Sequence, residues 1–70
     1  MEYKKLTMIK HLRKIKGWTQ KELAEKSHIT VLTIQRLEGG WCDPYQTKYS
    51  TLIAIAQTLG VKHVETLFEE

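Results

Sequence analysis

The first apolar pattern in the chain, over residues 4–16, follows one face of an α-helix. Its apolar side chains recur at the i, i+1, i+4, i+7 spacing that predicts a single buried stripe. Gly17 comes directly after it, and glycine tolerates the left-handed backbone that ends many helices. The predicted stripe consists of Met8, Ile9, Leu12 and Ile15.

Two short helices are predicted next, at residues 20–27 and 31–38, and a threonine precedes each of them. Thr19 and Glu22 have the spacing of a capping box, in which each side chain accepts from the other residue's backbone N–H. Thr30 is placed to cap the second helix in the same position. Only about three residues separate the two helices, and a connection this short fixes a sharp angle between them. The pattern therefore predicts a helix-turn-helix.

The remainder of the chain predicts two further helices. Gly39 and Gly40 end the third helix, a loop covers residues 41–48, and helices follow at 48–59 and 63–68. The side chains predicted to be buried there are Leu52, Ile55, Ala56, Leu59, Val64, Leu67 and Phe68. Strand signals are nearly absent. We therefore expect an all-α fold, a compact five-helix domain that spans residues 1–70 as a single unit.

The third predicted helix has two faces of different character. At about 100° per residue, Ile34 and Leu37 point to one side, which we expect to be the core. A second set of side chains clusters on the opposite side and is free to meet a partner. This outward set consists of Val31, Leu32, Gln35 and Arg36.

Charge is distributed unevenly along the chain. The sequence has 11 basic and 8 acidic residues, a net charge of +3, which alone says little. Residues 1–21, however, contain seven lysines and arginines and a single acid, Glu2. A basic segment of this kind suits contact with phosphates. A solvated helix face would explain it equally well.

Other functional classes find little support in the sequence. The one cysteine, Cys42, excludes an internal disulfide, and the histidines lack metal-ligand spacing. The longest apolar run, residues 52–56, is too short for a membrane span, and no signal-peptide pattern is present. We find no nucleophile motif or phosphate-binding loop, and we expect Glu38 to make a structural pairing. A cytoplasmic protein with no cofactor, no metal and no enzymatic activity is the expectation.

Several motifs together resemble a known family. They are Trp18-Thr19-Gln20-Lys21-Glu22-Leu23-Ala24-Glu25-Lys26, Ile29-Thr30, Ile34, Arg36-Leu37-Glu38, Gly40, Ile55-Ala56, Leu59-Gly60-Val61 and Leu67-Phe68. This combination resembles the lambda-repressor-like Cro/CI family, also called XRE-type helix-turn-helix regulators. The resemblance covers about residues 5–68, which is nearly the whole chain.

The resemblance implies a function and assigns roles to residues. It implies a sequence-specific regulator of transcription, most often a repressor, that inserts helix 31–38 into the major groove of double-stranded DNA. It places Gln20, Thr30 and Thr33 on DNA phosphates or groove edges. It places base reading at the outward set, with position 35 used less regularly than the others. Operators of such folds are usually read by a two-fold dimer, which here would use the loop and residues 61–68 or would form only on DNA.

The chemistry of the outward set agrees with base reading. Arg36 can donate to both O6 and N7 of guanine, and Gln35 can pair with N6 and N7 of adenine. The aliphatic side chains of Val31 and Leu32 suit the methyl groups of thymine. We therefore predict a DNA site with a thymine close to a guanine.

Three positions depart from the family pattern. His28 stands in the turn where glycine is usual, so a positive φ there would carry some strain. Trp41 stands where lysine or arginine is common; its indole N–H can donate to a phosphate, or its ring can seal the edge of the core. The loop at 45–49 is about three residues longer than usual, and Lys48 and the loop tyrosines either contact DNA or form a plain surface connection.

Two alternatives stay open at this point. The exposed pair Val31 and Leu32 would also suit an antitoxin-like or anti-regulator module that docks on another protein. A non-specific architectural DNA binder is the third possibility, for which replacing Arg36 would not abolish specific sites. The polar residues around the aliphatic pair favour DNA.

Overall fold

The computed structural model describes residues 2–69, which form four α-helices and two 3₁₀ helices. In chain order they are α1 (Thr7–Ile15), α2 (Gln20–Ser27), α3 (Val31–Gly39), a first 3₁₀ helix (Pro44–Gln46), α4 (Tyr49–Leu59) and a C-terminal 3₁₀ helix (Val64–Phe68). The all-α prediction is confirmed, since these residues contain no strand. Within the same range, no helix has the length and apolar character that a membrane crossing requires.

One apolar core holds the helices together. α2 packs against α3 and α4, and α1 packs against α3, α4 and the C-terminal 3₁₀ helix. The buried apolar side chains are Leu6, Ile9, Leu23, Ala24, Ile34, Leu37, Leu52, Ile55, Ala56, Leu59, Val64 and Leu67. Because both α2 and α3 contribute to this core, their relative angle is fixed by packing as well as by the turn between them.

Helix α1 differs from its prediction in its start and in its buried face. It begins at Thr7, because the residues before it bond to α3 instead of extending the helix. The backbone N–H of Tyr3 donates to the carbonyl of Gly40, and that of Leu6 donates to the carbonyl of Leu37, each at 2.9 Å. This N-terminal arm therefore runs along the end of α3.

The predicted burial of Ile15 is wrong, because this side chain is 69% exposed. The buried face instead follows Leu6, Ile9 and Arg13, and at about 100° per residue Ile15 lies on the opposite side of the helix from Leu6. The spacing of apolar residues alone predicted the wrong buried face of α1, because it does not include a buried arginine.

The helix-turn-helix is formed as predicted. Thr19 and Glu22 make both hydrogen bonds of the capping box, and the Thr30 side chain caps α3. Between the helices, His28 has φ +61°, a left-handed conformation that a residue with a Cβ adopts at some cost. Gly40 at φ +76° ends α3, and the absence of a Cβ also lets the carbonyl of Tyr3 approach closely.

The C-terminal part corrects the prediction of a fifth α-helix. Residues 64–68 form a 3₁₀ helix instead, with Val64 and Leu67 buried and Phe68 half-buried. His63 supplies no side-chain cap, and a five-residue segment without a cap gains little from the α-helical form. Ahead of α4, Asp43 caps the first 3₁₀ helix by accepting from the N–H of Tyr45 at 3.0 Å.

Candidate nucleic-acid interface

The outward face of α3 is exposed to solvent. Val31 is 39% exposed and Leu32 is 49% exposed, and Gln35 and Arg36 beside them are also exposed. Ile34 and Leu37 on the other face are fully buried. Within residues 2–69 the Gln35 and Arg36 side chains take part in no hydrogen bond or salt bridge. The structure therefore brings the four predicted base-reading residues together on one free surface, and their role there stays a prediction.

A buried ion pair supports this surface from beneath. Arg13 of α1 donates to both carboxylate oxygens of Glu38 on α3, from Nε at 3.0 Å and from Nη2 at 3.0 Å. Its Nη1 also donates to the carbonyl of Trp18 at 2.8 Å. The expected structural pairing of Glu38 is confirmed. Its partner, Arg13, was missed: the spacing of four residues from Ile9 signals that Arg13 lies on the buried face of α1, but not which residue it pairs with.

Gln20 belongs to the same buried network. Its Nε2 donates to Oε1 of Glu38 at 3.1 Å, and the side chain is half-buried at the start of α2. The network thus joins α1, α2 and α3. Two donors of Gln20 stay available for a phosphate: the second hydrogen of its side-chain amide and its backbone N–H in the first turn of α2. The helix dipole favours negative charge at this position.

The N-terminus of α3 presents a pair of hydroxyl groups. The Oγ1 atoms of Thr30 and Thr33 lie 2.8 Å apart, and Thr30 Oγ1 also accepts from the Thr33 N–H at 3.3 Å. One hydroxyl donates to the other, so a single O–H remains for an outside acceptor. Thr30 is exposed and Thr33 is half-buried. The sequence placed both residues correctly at this helix end.

The structure contradicts one of the two interpretations of Trp41. Its side chain is 72% exposed, so the ring does not seal the edge of the core. Its backbone N–H donates to the carbonyl of Arg36 at 2.9 Å, and its ring lies over Gly39, where an added Cβ would approach Cδ1 to 2.7 Å. A hollow of about 500 Å³, which we call the α3 hollow, is lined by Leu32, Gln35, Arg36, Trp41 and Cys42.

The long loop groups its tyrosines elsewhere. Tyr45 and Tyr49 line a groove of about 440 Å³, which we call the tyrosine groove. Its lining consists of Pro44, Tyr45, Thr47, Tyr49, Leu52, Val64, Glu65 and Phe68. The rings of Tyr45 and Phe68 have centroids 5.0 Å apart. Lys48 lies exposed at the residue before α4. The predicted phosphate contacts of Lys48 and Trp41 stay predictions.

One carboxyl group at the site has a shifted pKa. The backbone N–H of Thr19 donates to Glu22 at 2.9 Å and lowers the pKa of that carboxyl below its ordinary value. The Thr19 side chain and the charge of Lys26 lower the pKa further. Glu22 is therefore committed to the cap of α2, and the capping role inferred from sequence accounts for it.

Comparisons with known proteins agree with this geometry. The helix-turn-helix family pattern matches residues 9–65. Over 64 residues, covering 89% of this chain and 86% of the relative, the sequence is 42% identical to an uncharacterized HTH-type transcriptional regulator of Methanothermobacter thermautotrophicus.

A solved structure shares the fold. The restriction-modification controller protein C.AhdI from Aeromonas hydrophila superposes with a TM-score of 0.76 at 22% sequence identity, covering 90% of this chain and 89% of the other. With the motifs and the capped two-helix unit described above, these matches establish that the chain belongs to the helix-turn-helix family of the lambda-repressor-like, XRE type.

Proposed function

We propose that the protein is a sequence-specific, double-stranded-DNA-binding regulator of transcription whose helix α3 enters the major groove. The observation that carries this proposal is the exposed outward face of α3, with donors and aliphatic groups interleaved and a buried network behind it. An α-helix fits the major groove, where each base pair presents a distinct pattern. The HTH-type transcriptional regulator to which the chain is 42% identical supports the same function.

Selection from a pool of random duplexes tests the proposal. We expect enrichment of a defined motif, with an affinity that falls steeply between 50 and 200 mM salt because several phosphates are neutralised. A pool that stays random while binding persists would indicate a non-specific binder. A pool with no binding at low salt would contradict DNA binding altogether.

We propose repression as the regulatory outcome, because a protein seated in the groove excludes other proteins from the DNA it covers. Reporter genes with the selected site placed across a promoter, or well upstream of it, test this directly. Repression predicts a loss of expression only when the site overlaps the promoter. Increased expression from the upstream site would identify an activator instead.

We also propose that two copies bind together through the tyrosine groove. Tyr45 is 68% exposed and Tyr49 is 62% exposed. Large exposed aromatic side chains that lie together mark a surface suited to contact with another protein. A two-fold pair of this chain would cover them and would present two α3 helices to successive major grooves, about 34 Å apart. A selected motif with two inverted half-sites one helical turn apart is the expected result, and a single unpaired half-site would contradict it.

A further inference from the structure

Two lysines and a tryptophan form a cluster outside the surfaces described so far. The Nζ of Lys16 is 5.3 Å from the centre of the Trp18 ring, and the Nζ of Lys26 is 5.0 Å from the same centre. Both ammonium groups are within the distance at which an indole ring attracts a cation. We call these three residues the lysine–tryptophan patch.

The fold positions the members of this patch. Trp18 is half-buried against the apolar core, and its carbonyl accepts from Nη1 of Arg13 at 2.8 Å. The Nζ of Lys16 also lies at the end of α4, 3.9 Å from the place that a Cβ on Gly60 would take. The C-terminal end of a helix favours a positive charge. The ring and the helix end therefore favour one arrangement of the two ammonium groups.

The two ammonium groups are not neutralised by a neighbouring carboxylate. In the part of the chain that the structure describes, neither Lys16 nor Lys26 forms a salt bridge, and both side chains are exposed. Glu22 follows Trp18 in the sequence, but its carboxylate accepts from the Thr19 N–H at 2.9 Å in the cap of α2. Two like charges beside one ring repel each other, and an anion between them would relieve this repulsion.

The location of the patch favours a protein over DNA as the source of that anion. On α2, Lys21, Glu25 and His28 border the start of α3. At about 100° per residue, Lys26 is about 140° around α2 from Lys21, on the flank away from α3. The patch contains no residue of α3. We therefore expect it to stay accessible when α3 lies in a groove.

We propose that the lysine–tryptophan patch binds an acidic segment of a partner protein while α3 occupies DNA. Carboxylates of the segment contact the two ammonium groups, and an apolar side chain between them contacts the accessible part of the indole ring. Charge complementarity of this kind speeds encounter and selects among partners. The inference goes beyond the proposed function, since binding of the segment can be measured without DNA.

A labelled peptide made of repeated Glu-Glu-Leu units tests the proposal by fluorescence polarisation. We expect saturable binding that weakens as salt is added, because salt screens exposed charges over about 10 Å at 0.1 M. The NMR signal of the Trp18 indole N–H should shift during the titration, whereas that of Trp41 should not. Absence of binding at low salt would overturn the proposal.

Variants of the patch assign the binding to its members. Lys16→Gln and Lys26→Gln should each weaken peptide binding about 1.5- to 5-fold, the range measured for exposed ion pairs. Trp18→Leu should weaken it too, because leucine can pack against the core but has no ring to hold the ammonium groups. Thermal unfolding verifies that each variant is folded.

The matched control removes two other exposed lysines from α1, in the double variant Lys10→Gln with Lys14→Gln. It should bind the peptide as tightly as the wild type does. The test variant for this comparison is Lys16→Gln with Lys26→Gln, which has the same net charge as the control. Equal losses in the two double variants would show that net charge alone attracts the peptide, and the proposal would be wrong.

Other occupants of the patch give different results. If the patch contacts DNA phosphates, Lys16→Gln with Lys26→Gln should reduce the salt slope of duplex binding by about 2. If acidic residues of a second copy occupy it, the same variant should lower self-association. Either result overturns the proposal. Equal peptide affinity of the free protein and of the protein–duplex complex supports it, and a failure of duplex binding alone contradicts only the proposed function.

Discussion

Two apolar surfaces described above, the one around the α3 hollow and the tyrosine groove, differ in what lies between their apolar side chains. Around the α3 hollow, the apolar side chains of Leu32 and Trp41 lie beside Gln35 and Arg36, which offer amide and guanidinium donors. In the tyrosine groove the only charged side chain is that of Glu65. Donors among apolar groups suit the edges of base pairs, whereas a groove with one acid would repel phosphates. Exposure alone does not distinguish the two surfaces; the polar side chains between the apolar ones are what favour DNA as the partner of the first surface in our proposal.

The largest effect should come from removing the support beneath the first surface. Glu38→Ala leaves Arg13 charged and without its carboxylate, and we expect a loss of about 3–5 kcal/mol in the free energy of unfolding. Urea denaturation followed by circular dichroism measures it. The tyrosine groove is built from other residues and receives no such support from this ion pair.

The double variant Arg13→Met with Glu38→Leu provides the control. It replaces the ion pair with apolar side chains of similar volume, and most of the lost stability should return. If the double variant is as unstable as Glu38→Ala, the penalty does not arise from an unpaired charge. The ion-pair explanation would then be wrong.

Arg36→Ala should have the next largest effect, on binding. We expect a loss of about 1–3 kcal/mol, or about 5- to 150-fold in affinity, together with relaxed choice at one guanine position. Titration of the selected duplex and of its single-base variants measures both. Lys48→Ala is the comparison, because loss of a phosphate contact should weaken all sequences alike and reduce the salt slope by about 1. Unchanged specificity in Arg36→Ala would remove guanine reading from this residue.

Tyr49→Ala should separate the second surface from the first. We expect a lower tendency to form dimers and weaker binding to a two-half-site duplex, while affinity for one half-site stays unchanged. Sedimentation equilibrium and paired titrations measure these quantities. Ile15→Ala, equally exposed but outside the tyrosine groove, should change neither. Equal losses for one and two half-sites would contradict a dimer contact at the groove.

The smallest expected effect concerns pH. Because the pKa of Glu22 is lowered in the folded state, its capping contribution is present above the ordinary glutamate pKa and is lost as the pH falls through the lowered value. Between about pH 6 and about pH 3, the wild type should therefore lose more stability than Glu22→Gln. Parallel unfolding curves that differ by a constant amount over this range would contradict the assignment.

The sequence predicted those parts of the fold that depend on local chemistry. Caps at Thr19 and Thr30, and helix ends at Gly17 and Gly40, follow from hydrogen bonds or backbone freedom within a few residues, and all were correct. The last segment was harder, because a five-residue stretch of apolar spacing does not distinguish an α-helix from a 3₁₀ helix.

Features that depend on distant residues could not be predicted in this way. Arg13 and Glu38 are 25 positions apart in the sequence, and no local pattern around either residue indicates the other as its partner. The N-terminal arm is similar, since its backbone groups bond to the end of α3. The two interpretations of Trp41 could be separated only by the exposure of its ring, which the whole fold determines.

The independence of the outward face of α3 from the core has a practical consequence for retargeting. Because its four side chains fill no part of the core, a library randomised at 31, 32, 35 and 36 should retain a high fraction of folded members. The same freedom would let natural duplicates of this chain diverge toward new operators by changing a few codons. A helix that is anchored to the core by one face can vary in sequence on its other face.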